Sequence, residues 1–203
     1  QHTIKPAILK LSKVPLLLKL MELCPLADLE IERLLTHLRS QILSNLSNLS
    51  GSKEALAFQS ALALQCHTNE YIYAETDEDR KLLKDLENAV LRKLSRGQQP
   101  APLTLACLAS YKVLHEYAWS HLLAFSDDLK QLEKRQILEF KTEIILRSKM
   151  KVLAEISDSV SLKVKEQYEK HPYPRWVNTG LSQSGISISE LARKSSLKVI
   201  NKT

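Results

Sequence analysis

The side chains of this chain best suited to hold a metal or attack a substrate are its histidines and cysteines: His2, His37, His67, His115, His121 and His171, with Cys24, Cys66 and Cys107. His67 and Glu70 stand at i, i+3, a spacing that helical bundles use for a core metal when a second Glu-x-x-His faces it from another helix. No such second pair is present, and the scattered cysteines form no CxxC or CxH cluster. No metal ligands are therefore assigned, and these side chains read as polar core or interface residues. Cys66 beside His67 resembles a nucleophile with its base, but consecutive helical residues diverge by about 100° around the axis. Asp77, Glu78 and Asp79 are explained as carboxylates complementing a helix start. The glycines, Gly51, Gly97, Gly180 and Gly185, make no GxGxxG or GxxxxGK pattern. No catalytic and no cofactor-binding residue is assigned.

The densest chemical feature lies near the C-terminus, where Tyr168, His171, Pro172, Tyr173, Pro174, Arg175 and Trp176 crowd together. Two prolines at alternate positions impose an extended strand directly after a helix. Tyr168, Tyr173, Arg175 and Trp176 are the candidate contact residues for a partner or substrate, because aromatic and guanidinium groups stack on planar ligands or fill a groove. A stiff spacer whose aromatics dock on their own domain gives the same composition, and composition alone favours it.

The elements that must carry these residues are helical almost throughout. Val14–Cys24 is the most apolar stretch, interrupted by Lys19 and Glu22 at helical spacing. Asp28 can cap a helix with Ile31, Leu34, Leu35, Leu38 and Ile42 on one stripe, and the Ser/Asn-rich residues 45–52 stop it. Lys53 to Ala74 follows, apolar nearly all round, as expected of a central bundle helix. Thr76 and Asp79 make a capping-box start for a helix with Leu83, Leu86, Val90 and Leu94 inward, ended by Gly97. Pro102 opens a helix expected to reach about Ala124. Another begins at Asp127 or Asp128, carries Leu129, Leu132, Ile137, Phe140, Ile144 and Ile145, and ends in Arg147, Lys149 and Lys151. Residues 157–159 cap a last helix with Val160, Val164 and Tyr168 in register, which must stop before Pro172. No stretch alternates with period two and no 34-residue repeat is visible. The fold class is all-α, an irregular bundle of about six to eight helices over residues 1–170, then a Pro-containing linker and basic tail over 171–203.

Composition agrees. The chain has 203 residues, 44% apolar and 26% charged, with only 4 glycines, well below the usual share of about 7%. That excludes turn-rich β folds. The formal charge of +6 is uneven: residues 1–160 hold 21 Lys/Arg against 20 Asp/Glu, and residues 161–203 hold 8 against 3. Such a basic end can steer nucleic acid or an acidic surface, and equally describes a solvated helix end. No recognised nucleic-acid motif accompanies it. Three unclustered cysteines fit a reducing cytoplasm, and no apolar run approaches the ~20 residues of a membrane span. The start at Gln1, without Met, suggests a piece of something longer.

Residues 164–177, from Val164 through Gln167, Tyr168, Pro172, Tyr173, Pro174, Arg175 and Trp176 to Val177, resemble the QYEENPYPRW signature of bacterial tetratricopeptide-repeat methyltransferases. Upstream, residues 62–74 (LALQCHTNEYIYA) resemble that family's LAxQCFxNEYVF helix. Residues 28–39 (DLEIERLLTHLR) are similar to its D-x-x-x-E-x-x-L-T-x-L-R segment. The three matches fall in the family's order and cover roughly residues 20–190. This chain has His67 where the family tends to an aromatic and His171 where it often has Asn.

The resemblance implies the helical middle region of such an enzyme, lying before a class I S-adenosylmethionine-dependent methyltransferase domain. The family's donor-binding G-C-G-T-G turn is absent from the 203 residues. The chain is thus expected to bind no cofactor itself and to position a substrate or partner, a protein substrate among them, for an adjoining methyltransferase domain, with the PYPRW strand as hinge or lid. The alternative is an autonomous protein- or peptide-interaction domain; nucleic-acid binding through the basic tail is a third reading.

Overall fold

The structure, a computed structural model, describes residues 4–151, 156–170 and 185–195. Among them there is no strand, and the all-α class is shown. The chain opens with two short helices, α1 (Lys5–Leu11) and α2 (Pro15–Leu23), each with a proline in its first turn, where a missing N–H costs nothing. Then α3 (Leu29–Ser44) starts at Asp28, whose carboxylate accepts from the Glu30 and Ile31 N–H groups at 3.0 Å each. Its stripe of Leu35, Leu38 and Ile42 is buried, with Ile31 packed at the edge, but Leu34 is 46% exposed and belongs to the outer face. A single turn, α4 (Leu46–Leu49), occupies the Ser/Asn-rich segment.

The centre of the bundle is α5 (Lys53–Thr68), capped by the Ser52 hydroxyl. It packs against α1, α2 and, on its other side, α7 (Pro102–Ala109). Its buried residues face every direction, as the sequence pattern requires of a helix surrounded by others. In the chain between α5 and α7, α6 (Asp77–Leu94) begins with the capping box of Thr76 and Asp79 and stops ahead of Gly97, which sits at φ +70° in the left-handed region that glycine enters freely.

Three expected helices are shorter or less regular than periodicity suggests. α5 ends at Thr68 rather than near Ala74, and Glu70 and Tyr71 both adopt φ +58°. α7 stops at Ala109 rather than Ala124; the rest of that stretch folds into turns with 3-10 segments at Leu114–Glu116 and Ser120–Leu122. The Ser110 hydroxyl donates to the Cys107 carbonyl (2.7 Å), and the Leu114 N–H is taken by the buried Gln136 side chain (3.0 Å), so the next helical turn has lost its donor. The helix expected from Asp127 comprises a 3-10 turn (Asp127–Leu129), α8 (Lys130–Glu133), a π-helical segment (Lys134–Leu138) and α9 (Glu139–Lys149). Leu129, Leu132 and Ile137 of its stripe are buried, while Ile144 and Ile145 are about half exposed on α9. α10 (Ser159–Lys170) is capped by Asp158, and α11 (Ile188–Lys194) follows. Seven of these segments reach eight residues or more.

One cation sits in the middle of the core. Arg39 on α3 is 1% exposed, and its guanidinium donates to the carbonyls of Ser110 (3.1 Å), Tyr73 (2.9 Å) and Ala74 (2.9 Å). The plane lies over the Tyr111 ring at 4.1 Å and near that of Tyr73 at 5.7 Å. Carbonyl dipoles and aromatic faces stabilise the charge in place of a carboxylate. The result ties α3 to the chain just beyond α5 and just beyond α7, the two places where helix gives way to irregular backbone.

Candidate functional site

The irregular backbone at the end of α5 separates two clefts. Asn69 closes the helix with its N–H on the Gln65 carbonyl at 3.0 Å, and the Tyr71 N–H reaches back to the Cys66 carbonyl at 2.8 Å. This tight return requires the left-handed Glu70 and Tyr71, which no glycine provides. Non-glycine residues held there cost about 1–3 kcal/mol each and persist only where surrounding contacts impose them. Arg39 supplies such contacts from the following residues, Tyr73 and Ala74. Gln136 supplies another by donating to the Tyr71 hydroxyl at 3.1 Å.

The first cleft, of about 420 Å³, lies between the linker joining α2 to α3, the Asn69–Tyr73 turn and the end of α10. Pro25, Leu26, Ala27 and Ile72 make its apolar walls. Gln65, 1% exposed, fixes the linker: its amide nitrogen is turned to the Met21 and Cys24 carbonyls, and its oxygen to the Leu26 N–H, all at 3.0 Å. Glu32, Glu70, Asn69 and Tyr73 bring the polar groups. Burial foremost, then the neighbouring Cys66 and to a lesser extent Glu32, hold the Tyr73 phenol protonated far above its ordinary range. The Asn69 amide oxygen is buried without a hydrogen-bond partner among the described residues.

On the other side of Glu70, a second cleft of about 350 Å³ is walled by the segment after α7 and by the π-helical segment with α9. His115 stacks on Phe140 with ring centroids 3.6 Å apart, and its Nδ1 lies 3.1 Å from the Gln136 carbonyl, so that nitrogen carries the proton. Gln136 is fully buried and also donates to the Ala109 carbonyl at 3.0 Å. Arg135, within the π-helical segment, pairs with Glu139 of α9 (3.0 Å) at the cleft wall. Such registers commonly mark functional positions in helices. Among the described residues lining this cleft, glutamates outnumber Lys and Arg five to two.

α10 rims both clefts, Gln167 on the first and Glu169 on the second. An Arg147–Glu169 ion pair fastens it to α9. Tyr168, between them, is 64% exposed and lines neither. The other expected contact residues, Tyr173, Arg175 and Trp176, and the linker boundary at 171, lie outside the described residues. The sequence reading passed over Glu32, Gln65, Asn69 and Tyr73 as site residues. A signal existed: Gln65, His67 and Thr68 crowd polar side chains into the last turn of a helix apolar on most faces, and Asn69 follows just beyond it.

Cys66 and His67 do not form a nucleophilic pair. Cys66 is fully buried, and burial pushes its thiol up to about 12 despite the nearby Arg39; Cys107 is pushed up equally. His67 faces the second cleft, edge-on to Tyr71. No helix among the described residues is long and apolar enough to cross a membrane. No protein-family model, curated protein or solved structure matches this chain.

Proposed function

We propose that this chain is a non-catalytic helical module that holds a substrate or partner for an adjoining S-adenosylmethionine-dependent methyltransferase domain. The observation that carries the reading is a convergence. Residues 28–39 and 62–74, two of the segments bearing the resemblance, meet where Arg39 binds the Tyr73 and Ala74 carbonyls. α10 then rims both clefts and continues in sequence into the third, residues 164–177. A ligand held in either cleft is thereby adjacent to the helix leading toward the adjoining domain. The exposed Ile144, Ile145 and Leu146 of α9 offer that domain an apolar face. A reducing, bacterial cytoplasm belongs to the same proposal, on the three unpaired thiols.

Two measurements test it. Calorimetric titration of this chain with S-adenosylmethionine is expected to give no binding, and saturable binding would overturn the assignment. Sequencing the transcript beyond the Thr203 codon is expected to show a β-strand pattern followed by a Gly-rich turn; a stop codon there contradicts it.

A second reading, an autonomous protein- or peptide-interaction domain, is favoured by one observation: among the described residues that line the clefts, all but Gln167 and Glu169 fall within residues 25–143. A protein partner retained after deletion of residues 168–203 points to that independent groove. Loss of the partner ties recognition to the C-terminal segment.

A further inference from the structure

We propose that the outward face of α2 lays this chain on the surface of an anionic phospholipid bilayer. The inference rests on α1 and α2 and is independent of any adjoining methyltransferase domain. α2 is apolar on two sides. Met21 is fully buried, and Leu17 and Leu18 pack against the core, on the side that meets α5. At about 100° per residue, Leu16, Leu20 and Leu23 fall within about 60° of one another on the other side. They are 69%, 40% and 43% exposed, and Val14, at the start of α2, is 45% exposed. A surface helix ordinarily turns polar groups outward, so this second apolar face calls for a further apolar surrounding.

The charges beside the stripe choose that surrounding. Lys10 and Lys13 stand at the close turn between α1 and α2, where the Lys13 N–H reaches the Lys10 carbonyl at 3.3 Å and the Val14 N–H that of Leu11 at 3.1 Å. Lys19 edges the stripe from within α2, bonded to Glu22 at 2.8 Å. Lys5, Lys10, Lys13 and Lys19 are all exposed, and Glu22 is the one acid among residues 4–27. At the start of α5, Glu54 lies in the field of both Lys13 and Lys53, so the group stays net positive. A helix of this kind seats its apolar stripe at the headgroup boundary while its lysines reach the phosphates. With nine residues it lies on the bilayer and does not cross it. A protein partner would need about 800 Å² of matching surface, far more than four side chains in a row present. A bilayer needs no matching shape.

Co-sedimentation of the whole chain with vesicles tests the proposal. Vesicles of equal parts phosphatidylglycerol and phosphatidylcholine should bind at least about tenfold more tightly than phosphatidylcholine alone, since two lysines near an anionic surface supply that much. Raising salt from ~0.1 M to ~1 M shortens the screening length from ~10 Å to ~3 Å and should weaken binding severalfold. Leu16→Ser with Leu20→Ser, and separately Lys10→Gln with Lys13→Gln, should each weaken it about tenfold. Ile145→Ser on α9, at a position 54% exposed, should leave it unchanged. Thermal melts matching the parent's show that each variant folds. Absence of binding to the anionic vesicles, equal binding to both kinds, or binding unmoved by the leucine pair would overturn the proposal. So would a dimer in sedimentation equilibrium that the leucine pair dissociates, which gives the stripe to a second copy of the chain.

Discussion

Replacing Arg39 by Met tests whether a buried guanidinium braces this bundle or burdens it. Met retains most of the apolar stem and removes only the charged fork. Three carbonyls then lose their donor. That of Ala74 is partly exposed and can turn to water, but those of Ser110 and Tyr73 are buried. An unsatisfied buried acceptor costs about 1–3 kcal/mol. Two of them cost about 2–6 kcal/mol, and the loss of the Tyr111 cation–π contact at 4.1 Å adds about 0.5–2 kcal/mol. Opposing this is relief of the cost of burying the charge, which can make an apolar substitute neutral or stabilising. Here the carbonyls remain buried whichever side chain replaces the arginine, so the loss is expected to prevail, at about 2–4 kcal/mol net. Urea unfolding should show a lower midpoint at unchanged slope. Because Arg39 also holds the backbone after α5, amide signals from residues 69–74 should shift in the native state. A variant as stable as the parent, or more so, would refute the brace.

Gln136→Leu should cost about 1–3 kcal/mol by chemical denaturation, because the buried Leu114 N–H is left without a partner while the Ala109 carbonyl keeps the Tyr71 hydroxyl at 3.3 Å. Thr76→Ala removes half of the capping box and should cost about 1 kcal/mol, read as a fall in melting temperature. Cys66 and Cys107 are fully buried and Cys24 is not, so iodoacetamide at pH 8 should add one label to the native chain and three in urea, counted by mass spectrometry. The same two thiols make stability fall in alkali. The unfolded chain loses these protons above about pH 9, whereas the folded one keeps them until about 12. Each thiol therefore lowers unfolding free energy by about 1.4 kcal/mol per pH unit across that window, with no effect below it.

Helix starts were legible because caps are local. Asp28, Thr76 with Asp79, and Pro102 each open a helix where their side-chain chemistry requires. Helix ends at Thr68 and Ala109 were not, since nothing in the next few residues forbids continuing. Residues 69–74 carry neither glycine nor proline. They leave the helix because Arg39, thirty-four residues upstream of Tyr73, takes the carbonyls that follow. Residues 110–124 keep an apolar helical pattern, and it is Gln136 from a later helix that intercepts their backbone. Both interventions are tertiary and invisible to periodicity. For the site, the notable C-terminal aromatics drew the eye, yet the described clefts are built from quieter residues. Glu32 looked like an ordinary surface carboxylate of an amphipathic helix. Asn69 and Tyr73 became legible only once the left-handed turn put them on one wall.

The most direct test of the central claim is a ¹⁵N–¹H titration of the whole chain with S-adenosylmethionine, following every backbone amide. A helical module without a donor site predicts no saturable shift. Saturable shifts gathered on one set of neighbouring residues would contradict it.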